Sequence, residues 1–548
     1  MESRLHPDSR HVSLPRRVAL GFVAITLVNG VGYAVYSGDV WEDFLITYRC
    51  GWNAAEGKGL VFTEGERVHA FTSPLNTLIP AALHRACGTP GSLDFTAELW
   101  GYRLVCLAAL AGGGLFGMEL LWRGSRRRGR AGLVPPLLFG TWLNLEPKTM
   151  MFTMNGQEAG LMALFLLGSL HEIDRPGGGR WWRLAAWWAG LMHTRPDSPV
   201  VIAGMSAVWA LWPGGLRART VSTVLRAAAG CAALCLPWVL FATSYYGSPV
   251  PQTIVAKALL RSGLANAADV PLDLMAGFVH ACGRLFRPTY FHFGGWPSWY
   301  LLAGLPATII AMAAAWHGVE PRFRRLGAML VTMLLYHGYL VATGVHYPWY
   351  WPPVCVVAAL AFAGCVGETI VAVDPRLLTH LVRPAVVGGV AAVFTAALAL
   401  QWAGTWQQSR ARQQVVEIGR RDCGVWLRGE VPEAETVYLE CLGFIGYYSQ
   451  RRMQDFPGLC APDVSHALAE LPRKNRTVAE AAVRVGPDWL VLRPGELREL
   501  SSLNRGPAYE IVRTFDQRDG LRQVPAGVPG RDWLAYDSVF IVLRRHRP

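Results

Sequence analysis

The chain has 548 residues, of which 52% are hydrophobic and only 17% are charged, and its formal net charge is +13. Ordinary soluble domains carry about 25% charged residues. This deficit and the recurring apolar runs exclude an ordinary soluble enzyme, a disordered chain and a protein with a single membrane anchor. The positive charges stand at the ends of the apolar runs, which argues against a nucleic-acid partner. The sequence predicts a polytopic membrane protein.

Apolar stretches long enough to cross a hydrocarbon core of about 30 Å recur along the first 402 residues. Eleven are recognised: 18–36, 100–122, 131–146, 156–171, 181–194, 197–212, 224–243, 299–317, 326–343, 351–372 and 384–402. A further run, 75–86, is too short to span and predicts a re-entrant or interfacial helix. We therefore expect a mostly α fold, in which residues 1–402 form a bundle of about eleven transmembrane helices with a first outer loop at about 37–99.

The orientation follows from lysine and arginine, which favour cytoplasmic loops. They are concentrated on one set of alternate loops, of which the run 123–130 is the densest. The first apolar run is followed by Trp41-Glu42-Asp43 and not by a cleavage site for signal peptidase. We expect a multi-pass protein of the bacterial inner (cytoplasmic) membrane, with a cytoplasmic N-terminus and everything after residue 403 outside.

The last part of the chain, 403–548, regains the composition of a soluble protein. Its short apolar runs at 436–439, 489–492 and 539–543 predict strands, and 411–428 predicts a helix. We predict a small extracytoplasmic α/β domain.

Three carboxylates, Asp39, Glu42 and Asp43, follow the first predicted span within five residues. Carboxylates this close repel one another, which raises the pKa of at least one. A carboxylate of this kind suits general-base catalysis or the binding of a divalent ion. A solvated acidic turn at the membrane surface has the same sequence pattern.

Further polar clusters fall on the same predicted side of the membrane. They contain Arg49, Glu66, Arg67, His69, Glu158, Arg195, Asp197, Tyr246, Lys257 and His346. Structural explanations exist for these residues too, such as a favourable helix dipole for Glu158 or contact with lipid headgroups for Lys257. His69, His193, His292 and His346 show no spacing typical of metal ligands.

Six cysteines are predicted to face an oxidising compartment, where disulfides are permitted but their pairing cannot be deduced. They are Cys50, Cys87, Cys282, Cys423, Cys441 and Cys460. The chain has neither a Walker loop nor a dinucleotide fingerprint, which argues against nucleotide-driven transport and against a soluble nucleotide-sugar enzyme.

The order of the polar clusters resembles that of the polytopic GT-C glycosyltransferases, particularly the terminal arabinofuranosyltransferases of the actinobacterial cell envelope. The matching motifs are Glu42-Asp43-x-x-Ile46-Thr47-Tyr48-Arg49, Gly57-x-Gly59, Thr72-Ser73-Pro74, Gly156-x-Glu158, Thr194-Arg195-Pro196-Asp197, Tyr246-Gly247-x-Pro249-x-Pro251, and Gly443-Phe444-Ile445-Gly446. Two positions depart from the family pattern. The acidic pair begins with Glu42 where the family has Asp, and His346 stands near a position that often holds Arg.

The resemblance implies transfer of one sugar, arabinofuranose or another pentose, from a polyprenyl-phosphate donor to an envelope glycan, glycolipid or protein acceptor, with inversion. It implies that Asp43 is the catalytic base, that Glu42 orients the acceptor, and that Lys257 and Arg195 bind the donor phosphate. The remaining residues would bind substrate or organise loops: Asp39, Arg49, Glu66, Arg67, His69, Glu158, Asp197, Tyr246 and His346. A divalent cation, Mg²⁺ or Mn²⁺, held by Glu42 and Asp43 is allowed but not required.

Two other classes of function remain open from the sequence. A lipid or solute transporter would carry polar groups at the midplane of several spans, whereas the spans of this chain are largely apolar. A non-catalytic envelope assembly protein with a degenerate site is the second alternative.

Overall fold

The computed structural model describes residues 13–175, 179–211, 218–261, 270–285, 287–289, 321–344, 346–371 and 379–546. Most of these residues are helical, and the C-terminal part contains a five-stranded sheet. This arrangement confirms the predicted fold class, a polytopic helical bundle with a C-terminal α/β part.

The helices before residue 412 form the bundle and its loops. They are α1 Arg16–Ser37, α2 Glu42–Ala55, α3 Pro74–Cys87, α4 Thr96–Ser125, α5 Val134–Leu145, α6 Pro147–Met154, α7 Ala159–Ile173, α8 Trp181–Thr194, α9 Ser198–Leu211, α10 Ala218–Tyr246, α11 Gln252–Leu259, α12 Val270–Arg284, α13 Pro321–Ala342, α14 Pro352–Val371 and α15 Thr379–Arg412.

Ten of the eleven predicted spans coincide with helices, and the remaining one, 299–317, lies outside the described residues. Six described helical segments are long and apolar enough to cross a membrane. They are Arg16–Ser37, Thr96–Leu145, Ala218–Tyr246, Phe323–Ala342, Pro352–Val371 and Val387–Glu430. Helices α7, α8 and α9 have only 14 or 15 residues each, which is short for a membrane crossing of about 20 residues.

The predicted short helix after Ser73-Pro74 is present as α3. The Ser73 side chain accepts a hydrogen bond from the backbone N–H of Asn76 at 3.2 Å, and Pro74 occupies the first helical position. An N-cap serine followed by proline is a strong start signal for a helix. The position of α3 relative to the membrane stays a prediction.

The C-terminal part has a mixed sheet with strand order β2-β1-β3-β5-β4. The strands are β1 Thr436–Leu439, β2 Arg452–Asp455, β3 Trp489–Leu492, β4 Tyr509–Asp516 and β5 Val539–Arg545. Strand β1 runs parallel to β2 and β3, whereas β5 is antiparallel to β3 and β4. The three predicted strands are confirmed as β1, β3 and β5, while β2 and β4 were not predicted.

Helices α16 Ile418–Glu430, α17 Leu442–Ser449, α18 Pro462–Ala469, α19 Val478–Val485, α20 Pro494–Leu503, α21 Arg518–Gln523 and α22 Arg531–Tyr536 surround this sheet. The predicted helix 411–428 is not a separate element. A π-helical turn, Gln413–Glu417, joins α15 directly to α16, so the last span continues into the C-terminal part. The proposed domain boundary at 402/403 lies inside α15.

Candidate functional site

Two cavities meet at Asp43. The first has a volume of about 340 Å³ and lies among α2, α9, α11, α13 and the segment that precedes α14. The second, of about 940 Å³, lies between this segment and the C-terminal part. Asp43 and Trp349 line both cavities. Asp43 can therefore contact a molecule on either side.

The start of α2 explains the position of Asp43. Trp41 is extended, with φ −83° and ψ 141°, and its N–H donates to the carbonyl of Asn155 at 2.8 Å. Glu42 and Asp43 occupy the first helical turn, where the helix dipole favours negative charge. Successive residues of a helix point about 100° apart. Accordingly Glu42 lines only the second cavity, while Asp43 also reaches the first.

Lys257 is the cation of the first cavity that faces Asp43. Its Nζ lies 5.2 Å from the ring centre of Tyr347 and 5.7 Å from that of Trp349. Among the described residues, its ammonium forms no hydrogen bond or ion pair. Burial lowers the pKa of Lys257, but Tyr350 and Asp43 outweigh burial and raise it. The ammonium is therefore charged and open to an anionic ligand.

Arg195 lines the same cavity but already has protein partners. Its Nε lies 2.9 Å from Oδ1 of Asp197, and its Nη1 lies 3.4 Å from Oε1 of Glu158. Nη1 also donates to the carbonyl of Trp349 at 2.9 Å. Burial raises the pKa of Glu158, whereas Arg195 overcomes burial and lowers that of Asp197. These contacts make Arg195 an organiser of the cavity wall.

Arg261 is a cavity residue that the sequence reasoning missed. It lies about one helical turn beyond Lys257, lines the first cavity, and donates from Nη1 to the hydroxyl of Tyr339 at 3.3 Å. The spacing of four residues from Lys257 was a signal that could have identified it.

The second cavity contains a network of acids and arginines around Glu42. Nη1 of Arg420 lies 3.0 Å from Oε2 of Glu42, and the N–H of Gly443 donates to Oε1 at 3.2 Å. Arg420 also pairs with Glu417 at 3.0 Å and with Asp537 at 2.9 Å. Arg493 pairs with the same Asp537 at 2.6 Å and with Glu440 at 2.7 Å. The aromatic lining residues are Trp41, Tyr347, Trp349, Phe456, Trp533 and Tyr536.

Both members of the acidic pair hold protons more tightly than ordinary carboxylates. Burial raises the pKa of Asp43, and Lys257 partly opposes this shift. Burial also raises the pKa of Glu42, to about 8, because the neighbouring acids add to burial and Arg420 offsets only part of it. A base with a raised pKa accepts a proton more readily, which suits Asp43 for that role.

The divalent cation that the sequence allows at Glu42 and Asp43 stays a prediction. Within the described ranges, no three His, Cys, Asp or Glu side chains form a group that could hold a metal ion. Glu42, one of the two predicted ligands, is instead paired with Arg420 at 3.0 Å.

All eleven cysteines are free thiols.

Of the remaining predicted site residues, Glu158 and Asp197 line the first cavity. Asp39 lines neither cavity. It is fully buried, accepts from the hydroxyl of Tyr33 at 2.6 Å and pairs with Arg412. It therefore ties the first loop to α1 and α15.

Arg49, Glu66 and Arg67 also lie outside both cavities. Arg49 donates to the carbonyl of Gly446 at 2.7 Å, and Glu66 pairs with Arg452 at 2.6 Å, so both hold the first loop against the C-terminal part. The guanidinium of Arg67 lies 5.1 Å from the ring centre of Tyr245.

The two predicted histidines face neither cavity. His69 stacks on Tyr246 with ring centres 4.6 Å apart, and burial lowers the pKa of His69 to about 4. The hydroxyl of Tyr246 donates to the carbonyl of Leu60 at 2.6 Å. His346 lies near Arg284 and Arg287.

Parts of the chain are similar in sequence to known proteins. A family model described as a domain of unknown function (DUF8728) matches residues 403–536. A terminal beta-(1->2)-arabinofuranosyltransferase of Mycobacterium tuberculosis is 29% identical over 242 residues, an alignment that covers 39% of this chain and 34% of the relative. The match thus spans only about a third of that curated relative.

Two solved structures share the architecture. ArnT from Cupriavidus metallidurans, bound to undecaprenyl phosphate, superimposes with a TM-score of 0.53 and 11% identity over 97% of this chain and 98% of ArnT. The apo oligosaccharyltransferase of Archaeoglobus fulgidus gives a TM-score of 0.51 and 12% identity over 87% and 70% of the two chains. The chain has the GT-C fold. This GT-C fold includes both the bundle and the C-terminal part, because the ArnT alignment covers nearly the whole chain.

Proposed function

We propose that this protein is an integral membrane glycosyltransferase that moves one sugar from a polyprenyl-phosphate donor to a hydroxyl group of a cell-envelope acceptor. The observation that carries this function is the position of Asp43 at the junction of two cavities. One contains the ammonium of Lys257, which has no ion-pair partner in the described part of the chain, and the other is rich in aromatic and polar groups. A transferase that joins two large substrates needs a base at such a junction.

The first cavity suits the donor. Lys257 and Arg261 supply positive charge and form no ion pair with a carboxylate among the described residues, and a phosphate is a strong partner for such groups. Val200, Ile254 and Leu340 provide apolar lining for the lipid chain. ArnT, which shares the fold, has been solved with undecaprenyl phosphate.

In the reaction, Asp43 takes the proton from the acceptor hydroxyl while the acceptor oxygen attacks the anomeric carbon. The bond from that carbon to the phosphate oxygen breaks, and Lys257 and Arg261 stabilise the charge that develops on the leaving phosphate. A single displacement from the side opposite the phosphate inverts the anomeric configuration. Arg195 holds the cavity wall, and Glu42 orients the acceptor. No step passes through a metal ion.

The second cavity suits a saccharide acceptor. Aromatic rings such as Trp41, Trp533 and Tyr536 offer apolar faces for sugar rings, and the charged groups offer hydrogen bonds. Seven lining carboxylates (Glu42, Asp43, Glu417, Glu440, Glu496, Asp532, Asp537) stand against four lining arginines (Arg412, Arg420, Arg493, Arg531). This excess disfavours acceptors with many phosphates and favours a neutral glycan among the glycan, glycolipid and protein classes.

The donor sugar in this proposal is arabinofuranose or another pentose, which the partial similarity to the mycobacterial arabinofuranosyltransferase supports. The protein acts at the outer face of the bacterial inner membrane, with its N-terminus in the cytoplasm and its C-terminal part outside. The density of arginine in 123–130 supports this orientation.

The test uses purified protein in nanodiscs with a panel of polyprenyl-phosphate pentoses and hexoses and a crude envelope glycan extract. Loss of each donor is followed by mass spectrometry. We expect one donor to be consumed and Asp43→Asn to lower this rate by about 100-fold or more. Asp422→Asn, which changes an exposed acid that lines neither cavity, is the matched control. Folded protein that consumes no donor would favour a transporter or an assembly protein.

A further inference from the structure

Trp349 stands where the two cavities meet. It lies in the short helical turn Pro348–Tyr350 before α14, its side chain is partly exposed, and it lines both the first and the second cavity. Among the described residues, Asp43 is the only other one that lines both. An aromatic ring thus accompanies the proposed base at the junction, and the reaction described above gives it no role.

Contacts on several sides hold Trp349 in place. Its ring stacks on that of Tyr347, with ring centres 4.8 Å apart and planes inclined by 6°, and it meets the ring of Trp41 edge-on at 5.8 Å. The backbone carbonyl of Trp349 accepts a hydrogen bond from Nη1 of Arg195 at 2.9 Å. Stacked and edge-on aromatic pairs are attractive arrangements, and a charged donor strengthens a hydrogen bond. The junction therefore has a preformed aromatic wall.

The surroundings of Trp349 indicate which part of a donor reaches it. Nζ of Lys257 lies 5.7 Å from the centre of the Trp349 ring. Under the proposed function, Lys257 binds the donor phosphate, and the sugar is bonded directly to that phosphate. The acceptor hydroxyl must reach the anomeric carbon from the second cavity, beside Asp43. The sugar ring is therefore confined to the junction, next to Trp349.

An indole ring at this place suits a sugar for a physical reason. The C–H groups of a sugar ring form apolar patches that pack on an aromatic surface, whereas its hydroxyl groups need polar partners. Thr47, Gln157 and Thr253 line the first cavity and offer such partners. The contact with the indole depends on the shape of the sugar ring, and one extra or missing methylene in an apolar contact changes the rate by about 10- to 200-fold. Contact with Trp349 can therefore distinguish one donor sugar from another.

We propose that Trp349 is a specificity-determining residue: the ring of the transferred sugar packs on its indole, which places the anomeric carbon between the phosphate at Lys257 and the acceptor hydroxyl at Asp43. This inference rests on the proposed function and adds the contact that selects the donor. The donors that it distinguishes carry the same lipid and different sugar rings, such as a pentofuranose and a hexopyranose. Trp349 takes no part in proton transfer and acts only through its contact with the sugar.

The test separates binding of the sugar from binding of the phosphate. Affinities are measured by native mass spectrometry of the full-length protein in nanodiscs, without acceptor. The ligands are the undecaprenyl-phosphate pentoses and hexoses of the donor panel and sugar-free undecaprenyl monophosphate. We expect Trp349→Ala to weaken binding of the donor that wild type consumes by about tenfold or more, to reduce the differences among the donors, and to leave the affinity for the monophosphate within about threefold. Trp349→Phe, which keeps a smaller aromatic ring, should lie between wild type and Trp349→Ala.

The matched control is Trp533→Ala, because Trp533 lines the second cavity but not the first. It should raise KM for the acceptor and leave every donor affinity within about threefold of wild type. If wild type transfers sugar and Trp349→Ala weakens donor and monophosphate equally, or weakens neither, the inference alone is overturned. Wild type that consumes no donor would overturn the proposed function and the inference together. If Trp349→Ala does not fold, Trp349→Leu, which keeps apolar volume without an aromatic face, is judged by the same two affinities.

Discussion

Nη1 of Arg420 lies 3.0 Å from Oε2 of Glu42, so a residue of the C-terminal part pairs with the first member of the acidic pair. The same guanidinium contacts Glu417 at 3.0 Å and Asp537 at 2.9 Å. Arg420 therefore neutralises acids that come from α2, from the π-helical turn and from the region before β5. Arg420 is thus one of the contacts, together with the hydrogen bond from the N–H of Gly443 to Glu42, that hold the start of α2 against the C-terminal part.

Replacement of Arg420 should destabilise the protein strongly. Arg420→Gln leaves Glu42 and Glu417 buried without their main cation, and breaking a buried pair in this way costs about 3–5 kcal/mol. The free energy of unfolding in detergent, measured by chemical denaturation, checks this value. Arg421→Gln changes an exposed arginine next to it in the chain and should stay within about 0.5 kcal/mol of wild type. Equal effects of the two substitutions would contradict the role of Arg420.

Gly443 should be sensitive to the addition of a single methyl group. A Cβ atom at Gly443 would clash with the carbonyl oxygen and Cγ of Glu42, because α17 touches the start of α2 at this point. We expect Gly443→Ala to displace the acidic pair and to lower activity by about tenfold or more without any change in titratable groups. Gly495→Ala, where a Cβ meets nothing within 4 Å, is the control and should be neutral. Full activity of Gly443→Ala would show that the contact is dispensable.

Lys257 should matter more for turnover than Arg261 does. Under the proposed function, Lys257→Gln removes the cation that faces the leaving phosphate and lowers kcat by about 100-fold, whereas Lys257→Arg retains part of the rate. Arg261→Gln, at the more exposed edge, should cost about tenfold. Lys58→Gln is a matched control, since Lys58 also rests on an aromatic ring, Trp52, at 4.6 Å but outside both cavities. Initial rates of transfer from a single donor, measured for each of these four variants and for wild type, check this order.

The stability of the protein should depend on pH through Glu42. Its pKa is raised from an ordinary value of 4.5 to about 8 in the folded state, so the folded protein holds this proton more tightly than the unfolded chain. The contribution of Glu42 to stability is fully present below pH 4.5 and is lost as the pH rises through about 8. Unfolding free energies of wild type and Glu42→Gln, compared across this window, should converge at low pH and diverge at high pH, with wild type becoming the weaker. If the two unfolding free energies differ by the same amount at every pH, Glu42 does not cause the pH dependence of stability.

The rate of sugar transfer should depend on pH through Asp43. Under the proposed function, Asp43 must be ionised to take a proton, and burial raises the pKa of Asp43 above its usual value. The rate should therefore rise with pH on the acidic side and level off once Asp43 is ionised. Lys257→Gln removes a cation that lowers this pKa, so the rising limb should move to higher pH in that variant. If the rising part of the pH–rate curve stays at the same pH in Lys257→Gln, Lys257 does not influence the pKa of Asp43.

The sequence predicted those features that a local pattern encodes. Long apolar runs such as 351–372 became helices, here Pro352–Val371, because a chain in lipid must satisfy its backbone groups internally. Strand β4 was missed because its residues are mostly exposed and lack the alternation of a half-buried strand. A pattern of this kind carries no signal for a strand at the edge of a sheet.

The site was predictable only in part, for a similar reason. Asp43 and Lys257 stand in recognisable motifs, and the fold brings both to the first cavity. Arg420 belongs to no motif and meets Glu42 only through tertiary packing. His69 and His346 drew attention by residue type, yet neither lines either cavity.

The two cavities share Asp43 and Trp349 but otherwise have separate linings. A lipid carrier in the first cavity and a polymeric acceptor in the second would then be bound at the same time. Under the proposed function, a spent carrier can leave and be replaced while the lengthened acceptor stays in place. Steady-state kinetics should accordingly show a ternary complex with no compulsory order of addition, and successive rounds would be limited by exchange of the carrier.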